Sequence, residues 1–157
     1  MRVLVGGVGY RYLRDESVGP WAIEQLAPRA TTHVEVEDLG YHPVGFVHNL
    51  QDRDPYDRIV LVGAVRRGRP AGTVEVYRWD GELPDVDGIQ DRVAEAVTGV
   101  ISLDGLLIVS RALGELPEDV HVVEIEPGPE GWGEEFSGPV AERLDDVLEA
   151  AWTLTRP

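Results

Sequence analysis

The sequence predicts an α/β sandwich with a sheet that is parallel at its centre, and three observations carry the prediction. Short, wholly apolar runs such as "RVLVGG" (Arg2 to Gly7) and "RIVLVGAV" (Arg58 to Val65) have the pattern of strands buried on both faces. Segments with helical spacing lie between such runs, and strands alternating with helices build a parallel sheet between helical layers. At 157 residues and 43% hydrophobic content, the chain is sized for one domain, residues 1–157, with a sizeable core.

The elements follow in order. "RVLVGG" ends on glycines and leads to a helix in "SVGPWAIEQLAP", where Pro20 suits the first turn. Ile23, Leu26 and Ala27 give that helix its apolar stripe, and Pro28 stops it. Asp15 or Ser17 is placed to cap its start, and the acids Asp15 and Glu16 favour its dipole. "THVEVEDL" alternates like a strand with one wetter face, and "VGFVHNLQD" is a short helix leading into "RIVLVGAV". "GTVEVYRWDG" has period 2 between turn residues, as an edge strand does. "IQDRVAEAV" and "LDGLLIVSRALG" are helical, with Gly114 as a C-terminal cap. "VHVVEIEP" is the fifth strand, and "GPVAERLDDVLEAAWTL" is one long amphipathic closing helix. The Gly-, Pro- and acid-rich "PGPEGWGEEFSGP", Pro127 to Pro139, is an exposed loop beside the carboxyl ends of the strands. Ligands of such sheets bind at that edge.

Composition excludes several classes. A net charge of −15, from 29 acidic and 14 basic side chains, argues against a nucleic-acid surface, because phosphate binding needs a surplus of Lys and Arg. With no cysteine there is no disulfide, thiol nucleophile or thiolate metal site, so any metal needs carboxylate, imidazole or backbone oxygen. No apolar run reaches the length of a membrane span, the N-terminus has no leader pattern, and the expected compartment is the cytoplasm. "GGVG" lacks the third glycine of a dinucleotide fingerprint, since Tyr12 stands there, and no phosphate-binding GK[ST] loop occurs. Ser17, Ser102, Ser110 and Ser137 all lack the G-x-S-x-G elbow of a serine hydrolase.

The blocks "RVLVGGVGYRYLRDESVGPWAIEQL", "YDRIVLVGAVRRGRPAGTVEVY", "ALGELPEDVHVVEIEP" and "FSGPVAERLDDVLEAAW" together resemble, in order, the nickel-iron hydrogenase maturation endopeptidases. Gly7, Gly9, Leu13, Asp15, Glu16, Gly19 and Pro20 fall on the family's opening pattern, whereas Tyr10 replaces its usual asparagine. The resemblance implies a phosphorylase/hydrolase-like three-layer sandwich: a twisted, mostly parallel sheet of five strands with an antiparallel edge strand and helices on both faces. It also implies removal of the C-terminal extension of the hydrogenase large-subunit precursor, with nickel sensed in that substrate.

In the family a glutamate, an aspartate and a histidine hold the metal. Only Glu16 carries over: the aspartate position is Gly63, and the histidine position falls at or near Gly99. Asp104, His42 and His48 are the candidate substitutes, since carboxylate with imidazole suits a borderline metal such as nickel. By the same resemblance, Gly7, Gly9, Asp15, Gly63, Arg66, Arg67 and Gly99 are placed at the cleft. Arg66, Arg67 and Arg69, three cations at the active edge of an acidic chain, are expected to meet an acidic or carboxyl-terminal group of a partner peptide. Three functions stay open: a divergent endopeptidase, a non-catalytic binder of a precursor tail or assembly partner, and an unrelated small-molecule enzyme on the same scaffold.

Overall fold

The computed structural model describes residues 1–98 and 101–157. Five strands, β1 (Val3–Val8), β2 (Val34–Asp38), β3 (Arg58–Ala64), β4 (Val74–Arg78) and β5 (Asp119–Ile125), form one sheet in the order β2-β1-β3-β5-β4. Neighbours are parallel except β4, which runs antiparallel to β5 along the edge. The helices are α1 (Val18–Leu26), α2 (Pro43–Gln51), α3 (Val86–Val97), α4 (Leu103–Ala112), α5 (Gly138–Ala141) and α6 (Leu144–Thr153). Among the described residues no helix is long and apolar enough to cross a membrane.

The period of 2 along the central strands divides the core in two. Leu4, Val8, Ile59, Leu61, Val120 and Val122 pack on one face with Phe46 of α2 and Leu106 and Leu107 of α4. Val3, Val5, Val60, Val62, Val123 and Ile125 pack on the other with Val18, Ala22 and Leu26 of α1 and Val147 and Ala151 of α6. Both faces are covered, which is why the central strands are apolar throughout. The edge strands are wetter: β4 mixes Val76 with Glu75 and Arg78, a composition that discourages further strand pairing.

One close approach sets where the first helix sits. A Cβ on Gly7 would lie 2.5 Å from the Gly19 carbonyl oxygen, and one on Gly19 would lie 2.2 Å from that of Val8. Two glycines therefore let α1 rest directly on β1. Gly7 is thus a packing residue under α1, where the sequence places it at the cleft.

Two expectations need correction. The first helix begins at Val18, preceded by a 3₁₀ turn, Arg14–Ser17; Ser17 holds the N-cap position, but neither its side chain nor that of Asp15 makes a capping hydrogen bond. Ser17 Oγ instead accepts the Leu13 N–H at 3.2 Å, closing the turn that precedes the helix. The closing helix is two helices: the Arg143 N–H bonds the Val140 carbonyl at 2.9 Å, a tighter i to i−3 turn that breaks α5 from α6. Val140, Val147 and Ala151 are all fully buried on either side of that break. Gly114 follows α4 at φ 84°, as the sequence predicts for a C-terminal cap.

Candidate functional site

Strand order reverses direction between β1 and β3, from which the chain winds to opposite edges of the sheet. At the carboxyl ends of these two strands lies a cavity of about 720 Å³. Tyr10, Leu13 and Glu16 enter from the loop after β1, Tyr41 from beyond β2, and Ala64, Val65 and Arg66 from the end of β3. Ile101 to Asp104 close it from the start of α4, and Glu130 to Trp132 from the Pro127–Pro139 loop. Its position is the one physical topology favours for a ligand.

Glu16 lines this cavity with two other carboxylates, Asp104 and Glu130. A Cβ on Gly9 would lie 2.4 Å from the Glu16 carbonyl oxygen, so that glycine lets the turn fold back onto the residue. Burial pushes the Glu16 carboxyl above its ordinary range; Arg66 opposes that shift, and the nearby Glu130 and Asp15 charges add to it. Arg66 Nη2 stands 3.3 Å from Glu16 Oε1, donates to the Gly128 carbonyl at 2.9 Å, and its Nε is 3.8 Å from Glu130. In the same lining, the Tyr10 and Tyr41 rings lie 4.5 Å apart, and burial pushes both hydroxyls up.

Asp15 turns away from the cavity and holds the loop that borders it. Only 2% exposed, it accepts the Gly128 N–H at 2.7 Å, the Ser137 N–H at 2.8 Å and the Ser137 hydroxyl at 2.6 Å. One carboxylate thereby ties both ends of the loop. The middle is joined to the first loop by Arg14 N–H to Gly133 O at 2.9 Å and Gly133 N–H to Tyr12 O at 2.8 Å. Tyr12 and Arg14 take φ of 66° and 51°, left-handed values that non-glycine residues hold only where surrounding structure imposes them.

The cationic turn after β3 is used internally, which corrects its reading as a patch of cations directed at a partner. Arg67 donates to Glu124 at 2.5 and 2.8 Å and to Asp104 at 3.1 and 3.0 Å. Arg69 lies 2.9 Å from Glu124 and 3.2 Å from Glu126, and Glu126 also receives the Arg67 and Gly68 N–H groups. Only Arg66 of the three lines the cavity. Glu124 and Glu126 were not singled out from sequence. Their signal was two acids, on one face of a strand, at the end of the otherwise apolar "VHVVEIEP".

The other site candidates fall as follows. Asp104 reaches the cavity but is engaged with Arg67. His42, just before α2, and His48, in its last turn, are exposed and absent from the cavity lining. Gly63 lies beside the cavity: a Cβ there would meet Val8 O at 2.8 Å and Leu103 Cδ1 at 3.2 Å, so Leu103 fills the room an aspartate would need. Gly99 lies outside the described residues. Among the described residues no three His, Asp or Glu side chains are gathered to hold a metal ion. Among the described residues Glu16 is not gathered with two further such side chains, so the donors there do not fit a metal held by this chain alone.

No protein-family model and no curated protein sequence matches the chain. Solved structures do. The hydrogenase maturating endopeptidase HybD from E. coli is 23% identical, with a TM-score of 0.72 over 98% of this chain and 91% of that one. A hydrogenase 2 maturation peptidase from a Thaumarchaeota archaeon is 22% identical, with a TM-score of 0.68 over 98% and 97%. The NiFe hydrogenase maturation protease HybD from Thermococcus kodakarensis is 20% identical, with a TM-score of 0.66 over 99% and 100%. The chain has the fold of these proteins across essentially its whole length.

Proposed function

We propose that this chain, folded like the hydrogenase maturation endopeptidases, acts in the cytoplasm on the nickel-iron hydrogenase large-subunit precursor and removes its C-terminal extension. The observation that carries the reading is Glu16: a desolvated carboxylate facing a 720 Å³ cavity at the point where the sheet's strand order reverses. The cavity receives the precursor's tail. Nickel enters as part of that substrate, and Glu16 is the carboxylate that meets it. To do so Glu16 gives up Arg66, a partly exposed pair at 3.3 Å whose loss costs at most about 1 kcal/mol.

A second reading, binding of the tail without cleavage, rests on Gly63 and Leu103 alone. Where the endopeptidases are expected to place a second carboxylate, this chain has a glycine packed against the Val8 carbonyl and Leu103. One experiment separates the two. Nickel-loaded and nickel-free large-subunit precursors are incubated with the protein and with Glu16→Gln, then followed by intact mass and by co-elution. Shortening of the loaded precursor alone, lost in Glu16→Gln, supports the endopeptidase. Co-elution with no mass change supports the binder, and neither outcome with either precursor removes both.

A further inference from the structure

Three of the four tryptophans are covered by neighbouring groups. Trp21 packs edge-on against Phe136 with ring centroids 5.7 Å apart, and the Arg111 and Arg29 guanidinium carbons lie over Trp79 and Trp152 at 5.4 and 5.7 Å. Trp132 is 86% exposed, and among the described residues neither a ring nor a cation lies on it. An indole held out in water loses the burial that favours an aromatic residue. Its backbone is nevertheless fixed, by Asp15 at both ends of the loop and by the two bonds through Gly133. The exposure is thus a property of a tethered segment.

The loop's own charges have one sign, while Arg14 from the first loop runs alongside Gly131 and Gly133 and Arg66 approaches Glu130. "PGPEGWGEEFSGP" carries Glu130, Glu134 and Glu135 and no basic residue. Glu130 lines the cavity with Trp132, and its side chain is 82% exposed, with Arg66 at the long distance of 3.8 Å. Its oxygens keep acceptor capacity for an incoming donor. Behind them the cavity offers Leu13, Tyr10 and Tyr41 to an aliphatic stem. An apolar stem with a cationic head is the side chain of arginine or lysine, which stacks on indole faces and pairs with carboxylates.

We propose that Trp132 and Glu130 form a binding site for an arginine or lysine side chain of a partner polypeptide, the indole face taking the cation and Glu130 pairing with it. This deepens the reading above by naming the side chain that the cavity rim selects, and it is measured without any hydrogenase precursor, so the two readings fail separately. The probe is a blocked peptide, acetyl-Gly-Arg-Gly-Arg-Gly-amide, beside its citrulline and glutamate counterparts, titrated into ¹⁵N-labelled protein. The indole N–H peak of Trp132, assigned from Trp132→Phe, and the amide peaks of Gly131 and Gly133 are expected to move saturably with the arginine peptide alone, less so at high salt. Trp132→Ala and Glu130→Gln are each expected to weaken binding by about two- to five-fold, read at the glycine amides. Both side chains are exposed, so unchanged melting temperatures show that the variants are folded. Equal binding of the citrulline peptide, or no movement at up to about 5 mM arginine peptide, the range of a weak contact, overturns the proposal.

Discussion

Asp15 concentrates three charge-assisted hydrogen bonds in one buried carboxylate, and its partners Gly128 and Ser137 are 113 and 122 residues away in sequence. Removing it leaves two backbone N–H groups without an acceptor, the costly half of losing a hydrogen bond. Asp15→Ala should lower unfolding free energy by roughly 3 kcal/mol in a urea titration and speed proteolytic nicking within residues 127–137. A variant as stable and as protease-resistant as the parent would mean that the loop is held by its other contacts. Gly63 makes the opposite point, that an absence can be built in. Its missing Cβ is accommodated by Leu103 Cδ1 and the Val8 carbonyl, and the carbonyl belongs to a central strand that cannot move freely. Gly63→Asp should therefore destabilise by about 1–3 kcal/mol, with part of the loss recovered by adding Leu103→Ala. Thermal unfolding of the three proteins decides it; a Gly63→Asp chain as stable as the parent would show that an aspartate site lies open.

At the scale of elements, β5 ends in two acids that shape the turn after β3. Burial pushes Glu124 up, but the hydrogen bond and charge of Arg67, the Tyr77 hydroxyl and Arg69 outweigh it and hold the carboxyl below its ordinary range. Glu126 is held low in the same way, by the Arg67 and Gly68 N–H groups and by Arg69 against burial. A carboxylate whose folded pKa is depressed binds fewer protons folded than unfolded. Its stabilisation is complete above the unfolded value of about 4.3 and is lost as pH falls through the folded one. Glu124→Gln should accordingly be less stable at neutral pH and lose less on acidification below about pH 4.3, with Glu35, held low first by the Tyr56 hydroxyl, still titrating in the variant. Equal acid slopes in denaturant titrations would refute it. This network also shows why the sequence was legible in some places only. Strand and helix positions could be read because burial on two faces leaves a local, periodic trace, as in "RIVLVGAV". The cavity's location followed from parallel topology. The roles of Asp15 and of the arginine turn could not be read, because their partners lie in other elements: Arg67 meets Glu124 from 57 residues away. The break at Arg143 was equally hidden, since the apolar stripe runs through it, from Val140 to Val147 and Ala151.

For the whole molecule, the net charge of −15 acts on both the free chain and its encounters, with opposite consequences of added salt. Many of the ion pairs are partly exposed, such as Arg11 with Asp38 at 3.5 Å or Arg29 with Glu149 at 3.4 Å, and such pairs contribute about 0–1 kcal/mol each. The pairs of Arg67 and Arg69 with Glu124 are shielded from solvent on the acid's side, where Glu124 is 1% exposed, and salt screens these less. The part of the electrostatics most open to screening is thus the mutual repulsion of surplus surface carboxylates, which destabilises a compact state. Raising salt from about 20 to about 500 mM, which shortens the screening length well below the size of the molecule, should raise the melting temperature. The same acidic field that salt relieves in the free chain attracts a basic partner, so association with the arginine peptide should slow and weaken over that range. Melting curves and stopped-flow mixing at matched salt test the pair of signs together. A melting temperature that falls with salt would mean that the ion pairs outweigh the repulsion. An association rate that ignores salt would mean that the acidic surface plays no part in recognition.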